Sequence, residues 1–520
     1  MAPLPGAPER ARQHRPGRSG RAPELRAGLT DAGPVAIAGL LVNGASALVV
    51  VVVARLVSPR EYGAVNQLLG LFFVLSMPGS AVLVGVVRRV TAWRMTGQLH
   101  LVSQWVRRVH RLLGGLLVVG TVVVALLQSW IARQLGLPND AGVLTVLVAG
   151  GLWIVLCVDR GLLQSERAYK PLAGNLLLEG AARTVAILVL VTAGLGVAGY
   201  GLGVLLGEVG AVAEARWLVW RRGTYSQAGL APAPPSDAGP VPPSDAGPVA
   251  PPGTAPVAPD HVGPSAPRRH QLLGDVAAAF VALGLLALLQ NADVIMIGRY
   301  NRAAAGPYAA ISVASKALVY AALALGSYLL PEATIRWHAG GHAVRQLGVA
   351  LVLAELPAAV LLILAVAVPR LLLRLVFSAR LTAAAPAFAT LAAAMALLCV
   401  SVLLTNYLIG TGTRWVVVVL AGGGLAVLGA VAAAHGSPVA TARADFVVQL
   451  AVCVALGVSF VVVHHRRHGE RWRARFGTAY PWGPGFLVRT ALGRTSPVGE
   501  GMDDTTLATR GGSATRNGDP

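Results

Sequence analysis

Seven ionisable residues stand where charge is costly or where it fits a phosphate. Glu179 and Arg183 lie four apart inside one apolar run, and Asp293, Lys316 and Glu355 lie in three others. At the centre of a membrane helix each such group costs about 2.5–3.5 kcal/mol, so it faces a partner or a polar cavity. Glu179 ahead of Arg183 at this spacing is the favourable helical order for an ion pair. The pair is either self-neutralising scaffolding or the wall of a cavity. Lys316 and Glu355 sit roughly nine or ten residues into their runs from opposite ends, which at ~1.5 Å per residue puts both near the midplane. Asp293 lies closer to one end. Lys316 is therefore expected to pair with Asp293 or with Glu355, as a fixed bridge or in one state of a transport cycle. Arg88 and Arg89 close another run. Their planar guanidinium groups suit bidentate phosphate recognition, although arginines at a run's end also set membrane topology. Glu208, Glu214 and Arg216 lie nearer a run's end, where snorkelling accounts for them.

Other chemistry finds no support. Neither lysine, Lys170 or Lys316, closes a Gly-x-x-x-x-Gly-Lys-Ser/Thr loop, so no ATP-driven motor is encoded. Asp-x-Asp, His-Glu-x-x-His and the nucleophile elbow are absent. Cys157, Cys399 and Cys453 fall inside apolar runs without metal-site spacing. The expectation is a non-enzyme without cofactor or metal, driven by a substrate gradient, an ion gradient or the membrane potential.

Those residues must be held by membrane helices. Hydrophobic residues make up 55% of the 520-residue chain and charged residues 13%, about half the share of a soluble domain. Runs long enough to span a bilayer are read at 34–54, 67–87, 112–132, 141–158, 172–194 and 197–220. A second set follows at 276–298, 306–330, 346–368, 383–409, 415–434 and 444–464. Pro78, Pro357 and Gly422 to Gly424 lie within spans, which membrane helices tolerate when neighbours satisfy the freed backbone groups.

The predicted fold is all-α, about twelve spans in two six-helix bundles around a central cavity. With six spans per half, the repeats are parallel, related by an axis along the membrane normal. The predicted segments are a basic disordered tail over 1–32, bundles over 33–222 and 271–465, a disordered Pro-rich linker over 223–270, and a tail over 466–520. Within the linker Pro-Pro-Ser-Asp-Ala-Gly-Pro-Val occurs twice in tandem, at 234–241 and 242–249. Such a segment cannot bury enough apolar surface to fold.

Arginine placement gives the orientation. Arg88, Arg89, Arg94, Arg107, Arg108, Arg111, Arg221, Arg222, Arg268, Arg269 and the cluster from Arg466 to Arg475 share one side, which is read as cytoplasmic together with both termini. The last cluster, with Trp472 and Phe476, reads as a surface segment on anionic membrane lipid. Arg370, Arg374 and Arg380 break the pattern. The first two read as one face of a short interfacial helix over Pro369 to Phe377. The net charge of +20 is mostly arginine in a composition of GC-rich character, and no nucleic-acid partner is expected.

Three passages carry a family resemblance. Ala54-Arg-Leu-Val-Ser-Pro-Arg-Glu-Tyr-Gly63 follows the first span, and Asp293-Val-Ile-Met-Ile-Gly-Arg299 with Ala305-Gly-Pro-Tyr308 opens the second half. Pro369 to Phe377, leading to Ala383 and Ala384, lies between spans nine and ten. Together they resemble the Wzx-like polysaccharide-biosynthesis flippases of the multidrug/oligosaccharidyl-lipid/polysaccharide exporter superfamily, over about residues 33–465. The second-half loop has Gly-Pro-Tyr where the family pattern suggests an acidic residue, and the linker is unusually long. The resemblance implies export of a lipid-linked oligosaccharide by alternating access. A polyprenyl-pyrophosphate-linked glycan would be the cargo, glycan-assembly enzymes would be partners, and the location would be the cytoplasmic membrane. A cation-coupled small-molecule exporter of the same superfamily is the alternative. A polytopic glycan polymerase is a third option, but it would need a large external loop.

Overall fold

Ser58 ends the first crossing and begins the second. The Ser58 hydroxyl accepts from the Glu61 amide while the Glu61 carboxylate accepts from the Ser58 amide at 2.9 Å, and Pro59 occupies the first helical turn. This reciprocal cap fixes a helix start that apolar periodicity alone would miss. The computed structural model describes residues 21–95, 97–223, 269–338 and 344–476. The expected linker and most of both tails therefore lie outside the described residues.

The helices are α1 (Arg21–Leu56), α2 (Pro59–Ser76), α3 (Gly79–Met95), α4 (Leu99–Leu135), α5 (Val143–Ser165), α6 (Tyr169–Leu190) and α7 (Gly196–Arg221). The second half holds α8 (Arg269–Tyr300), α9 (Arg302–His338), α10 (Val344–Ala367), α11 (Pro369–Val376), α12 (Phe388–Gly410), α13 (Trp415–Ala433) and α14 (Pro438–Phe476). Among the described residues ten helical stretches are long and apolar enough to cross a membrane. One of them, Tyr169–Arg221, turns back at a π-helical segment, Val191–Leu195, and supplies two crossings. With α9 the described helices make twelve, and the chain is an all-α, multi-pass membrane protein of two six-helix bundles.

Two predicted boundaries move. The second span, read as 67–87, is one broken crossing over α2 and α3. Pro78 has no N–H to give, and the chain bridges the break with shorter bonds, Ser80 N to Met77 O at 3.1 Å and Ala81 N to Pro78 O at 3.0 Å. The first helix starts at Arg21, inside the segment expected as a tail.

Helix pairing repeats between the halves. α1 packs on α6 as α8 packs on α13. α2 and α3 pack on α5 as α9 packs on α12, and α4 meets α5 as α10 meets α12. This is the expected parallel duplication. Contacts also separate a unit ending at Val458 from one starting at Ser459. In the latter, Phe460 and His464 stack with ring centroids 6.0 Å apart.

Candidate functional site

The halves meet where α2 lies against α8 and α9. Their closest approaches gather at the arginine-poor end. A Cβ on Gly63 would stand 2.7 Å from the Ala305 Cβ, and one on Gly306 would collide with the Pro59 carbonyl. Gly136, at φ +68°, puts a third backbone against Gly298 and Arg299. Gln67 stitches the seam by donating to Leu135 O at 2.8 Å and to Ile295 O at 2.9 Å. Only residues without side chains let backbones come this close.

Arg55 adds a clamp. Its Nε donates to Phe377 O at 2.9 Å, and its Nη2 donates to Leu375 O at 2.7 Å and Val376 O at 3.1 Å. These are the free carbonyls at the C-terminus of α11, where a cation complements the helix dipole. A short helix stands where one was expected, with Arg370 and Arg374 exposed and Leu373 buried. Tyr62 faces Phe377 at 6.4 Å between ring centroids. The first half's Arg55 and Tyr62 therefore hold an element of the second half. Their counterparts differ: Arg299 lies over the Tyr300 ring at 5.9 Å, and the buried Tyr308 turns inward.

Within the first half the expected Glu179–Arg183 pair forms at 2.8 Å, as part of a larger network. Arg160 of α5 donates to Glu179 at 2.7 Å and to Asn175 at 2.8 Å. Arg183 also reaches Glu208 at 3.6 Å and the Ser46 hydroxyl at 3.1 Å. Asn175 bonds onward to Ala211 O and Glu214. Glu208 is fully buried, so snorkelling does not explain it. Gly207 makes this possible, because a Cβ there would meet the Arg183 Cβ at 2.6 Å. The apolar run read as 141–158 stops short of Asp159 and Arg160, yet α5 continues to Ser165 and carries both.

In the second half Lys316 pairs with Asp293, Nζ to Oδ1 at 3.1 Å. Tyr308 donates to the other Asp293 oxygen at 3.2 Å. Asp445 of α14, which hydropathy did not single out, is fully buried within electrostatic range of Asp293 and Lys316. Gln449 donates to Asp445 Oδ1 at 3.2 Å and to Leu289 O at 3.1 Å. Lys316 thus pairs with Asp293, and Asp445 is a second buried carboxylate nearby without an ion-pair partner among the described residues. Glu355 stands apart among Cys399 and Cys453, and its Oε1 has no hydrogen-bond partner among the described residues.

The arginine pair separates. Arg88 is exposed, whereas Arg89 stacks over Trp93 at 4.6 Å and near Trp105 at 5.8 Å. Arg89 is held between α3 and α4 by cation–π contacts. Of the two, Arg88 is the one open to a phosphate.

No family model and no curated protein matches the chain. Solved structures do. An inward-facing multidrug-resistance MATE family transporter of the MOP superfamily superposes with TM-score 0.56 at 12% identity, covering 82% of this chain and 95% of that one. The lipid II flippase MurJ in an inward closed conformation gives 0.56 at 10% identity, covering 88% and 96%. A MOP superfamily transporter from Pyrococcus furiosus gives 0.52 at 17% identity, covering 85% and 94%. The chain has the fold of these transporters.

Proposed function

We propose that the chain is a membrane transporter that moves a lipid-linked oligosaccharide or polysaccharide precursor across the cytoplasmic membrane by alternating access. The arginine-rich end faces the cytoplasm. One observation carries the reading: the two bundles interlock at the arginine-poor end through glycine contacts and the Arg55 clamp. Alternating access needs a seal of this kind at one end while cargo enters from the other. Cargo bearing a pyrophosphate would meet Arg88 at the entry side, and the Asp293–Lys316–Asp445 cluster supplies charges that rearrange as the bundles rock. MurJ, a flippase by name, shares the fold.

The test is deletion in the native host with extraction of lipid-linked intermediates. An inward-facing polyprenyl oligosaccharide should accumulate and surface glycan should fall. Unchanged glycan without accumulation would overturn the reading. The buried Asp445, one of whose carboxylate oxygens has no hydrogen-bond partner among the described residues, favours a second reading, cation-coupled export of a small molecule. Purified protein in vesicles distinguishes them, because that reading requires efflux of a cationic dye that follows an imposed proton or sodium gradient.

A further inference from the structure

We infer that the flank formed by α4 and α7 is a binding site for an anionic phospholipid, with the lipid phosphate held between Arg107, Arg111 and Arg216. These residues and His110 line an open cavity of about 350 Å³ at the arginine-rich end. The cavity wall is built from beneath. Asp159 of α5, fully buried, accepts from Arg216 at 3.1 and 3.2 Å and lies 3.2 Å from His110 Nε2. His110 Nδ1 faces Val106 O at 3.1 Å, which holds the ring from one side. The Asp159 carboxylate thus fixes Arg216 through one oxygen and lies beside His110 with the other.

The rim is different. Arg107 and Arg111 are exposed, and among the described residues neither has a carboxylate within ion-pair distance. They sit four apart on one face of α4, with Arg111 Nε donating to Arg107 O at 3.4 Å. Two open guanidinium groups beside a fixed third form a receptor for a phosphodiester.

The surface above the cavity identifies the ligand as a lipid. The next turn of α4 carries Gly114 and Gly115, and a Cβ on either would meet nothing within 4 Å. Beyond that notch run Leu116, Val119, Val123 and Leu126, at 59%, 61%, 46% and 78% exposure. Phosphate-binding charge at headgroup depth therefore continues directly into bare apolar helix at acyl depth. A soluble phosphate would use only the first part, whereas a phospholipid covers both. The site lies on α4 and α7, away from the seam of α2 with α8 and α9.

The experiment uses the full chain purified with membrane lipid and analysed by native mass spectrometry, then titrated with phosphatidylglycerol or phosphatidylcholine. Phosphatidylglycerol should be retained in preference. R107A/R111A should weaken its binding on the order of 30-fold, about fivefold for each arginine. R108A/R222A removes two exposed arginines at the same end outside the cavity and should leave binding within about twofold. Equal retention of phosphatidylglycerol by the wild type and R107A/R111A overturns the proposal, as does equal loss in both double variants. Glycerol phosphate competing as well as the lipid would make the ligand a soluble phosphate and overturn it. Dimerisation that buries α4 would also overturn it.

Discussion

Each half of the chain buries a charge cluster, and the two are balanced differently. In the first half Arg160 and Arg183 face Glu179 and Glu208, two cations against two anions, tied further by Asn175 and Ser46. In the second half Lys316 pairs with Asp293 alone, while a second buried carboxylate, Asp445, lies within electrostatic range of both. A balanced network with many hydrogen bonds has one low-energy arrangement. A lone ammonium bonded to one of two neighbouring buried carboxylates has a second partner available, and a proton or another cation can settle the difference. The duplication thus supplies matching helices, while the charge balance assigns rigidity to one half and rearrangement to the other.

The largest effect expected from this contrast is in the first half. Arg160→Ala strips Glu179 of one partner and Asn175 of another in a buried site, which should cost about 3–5 kcal/mol. The measurement is thermal unfolding in detergent, and an unchanged midpoint would remove the scaffold role. Lys316→Met should cost less stability, about 1–3 kcal/mol, because its carboxylates can take up protons. It should nevertheless reduce transport more than tenfold. Full export by both Lys316→Met and Lys316→Arg at normal expression would make Lys316 scaffolding too and erase the contrast.

Arg55→Ala removes three charge-assisted bonds to α11, and about 1.5–3 kcal/mol of the closed arrangement with them. A membrane-impermeant maleimide should then label a cysteine placed at Ala305, buried in the seam against Gly63, about tenfold faster or more. Unaltered labelling would mean the glycine contacts alone hold the seal. The smallest effect is at Arg88, where exposure keeps the stability change of Arg88→Ala within about 0.5 kcal/mol. If transport falls although the fold is intact, the phosphate role of Arg88 stands; normal transport reduces Arg88 to a topology signal.

The crossings, the duplication and the Glu179–Arg183 pair were legible because each leaves a local mark: an apolar run, an Arg followed by a Tyr after the first span of each half, or a helical i,i+4 spacing, whereas depth alone narrowed the partner of Lys316 to Asp293 or Glu355. What escaped did so for definable reasons. Ser58 and Glu61 form a capping box at readable spacing, but the apolar run begins later and hid it. Arg160 lies beyond the run's apparent end since hydropathy penalises Asp159 and Arg160 without knowing that they are paired. Asp445 comes within electrostatic range of Asp293 from more than a hundred residues away, and no spacing rule reports such an approach. The partner of Arg55, a set of backbone carbonyls on α11, has no side-chain signature at all.

The interruption at Pro78 has a mechanical consequence. The seventeen residues of α3 form a lever ~25 Å long at ~1.5 Å per residue. A swing of ~10° about Met77 and Pro78 would carry its far tip ~4 Å sideways. That displacement leaves α2, and the bolt it shares with the opposite bundle, where they are. Substrate could thus be admitted at one rim by pivoting half a helix, before the other rim has begun to yield.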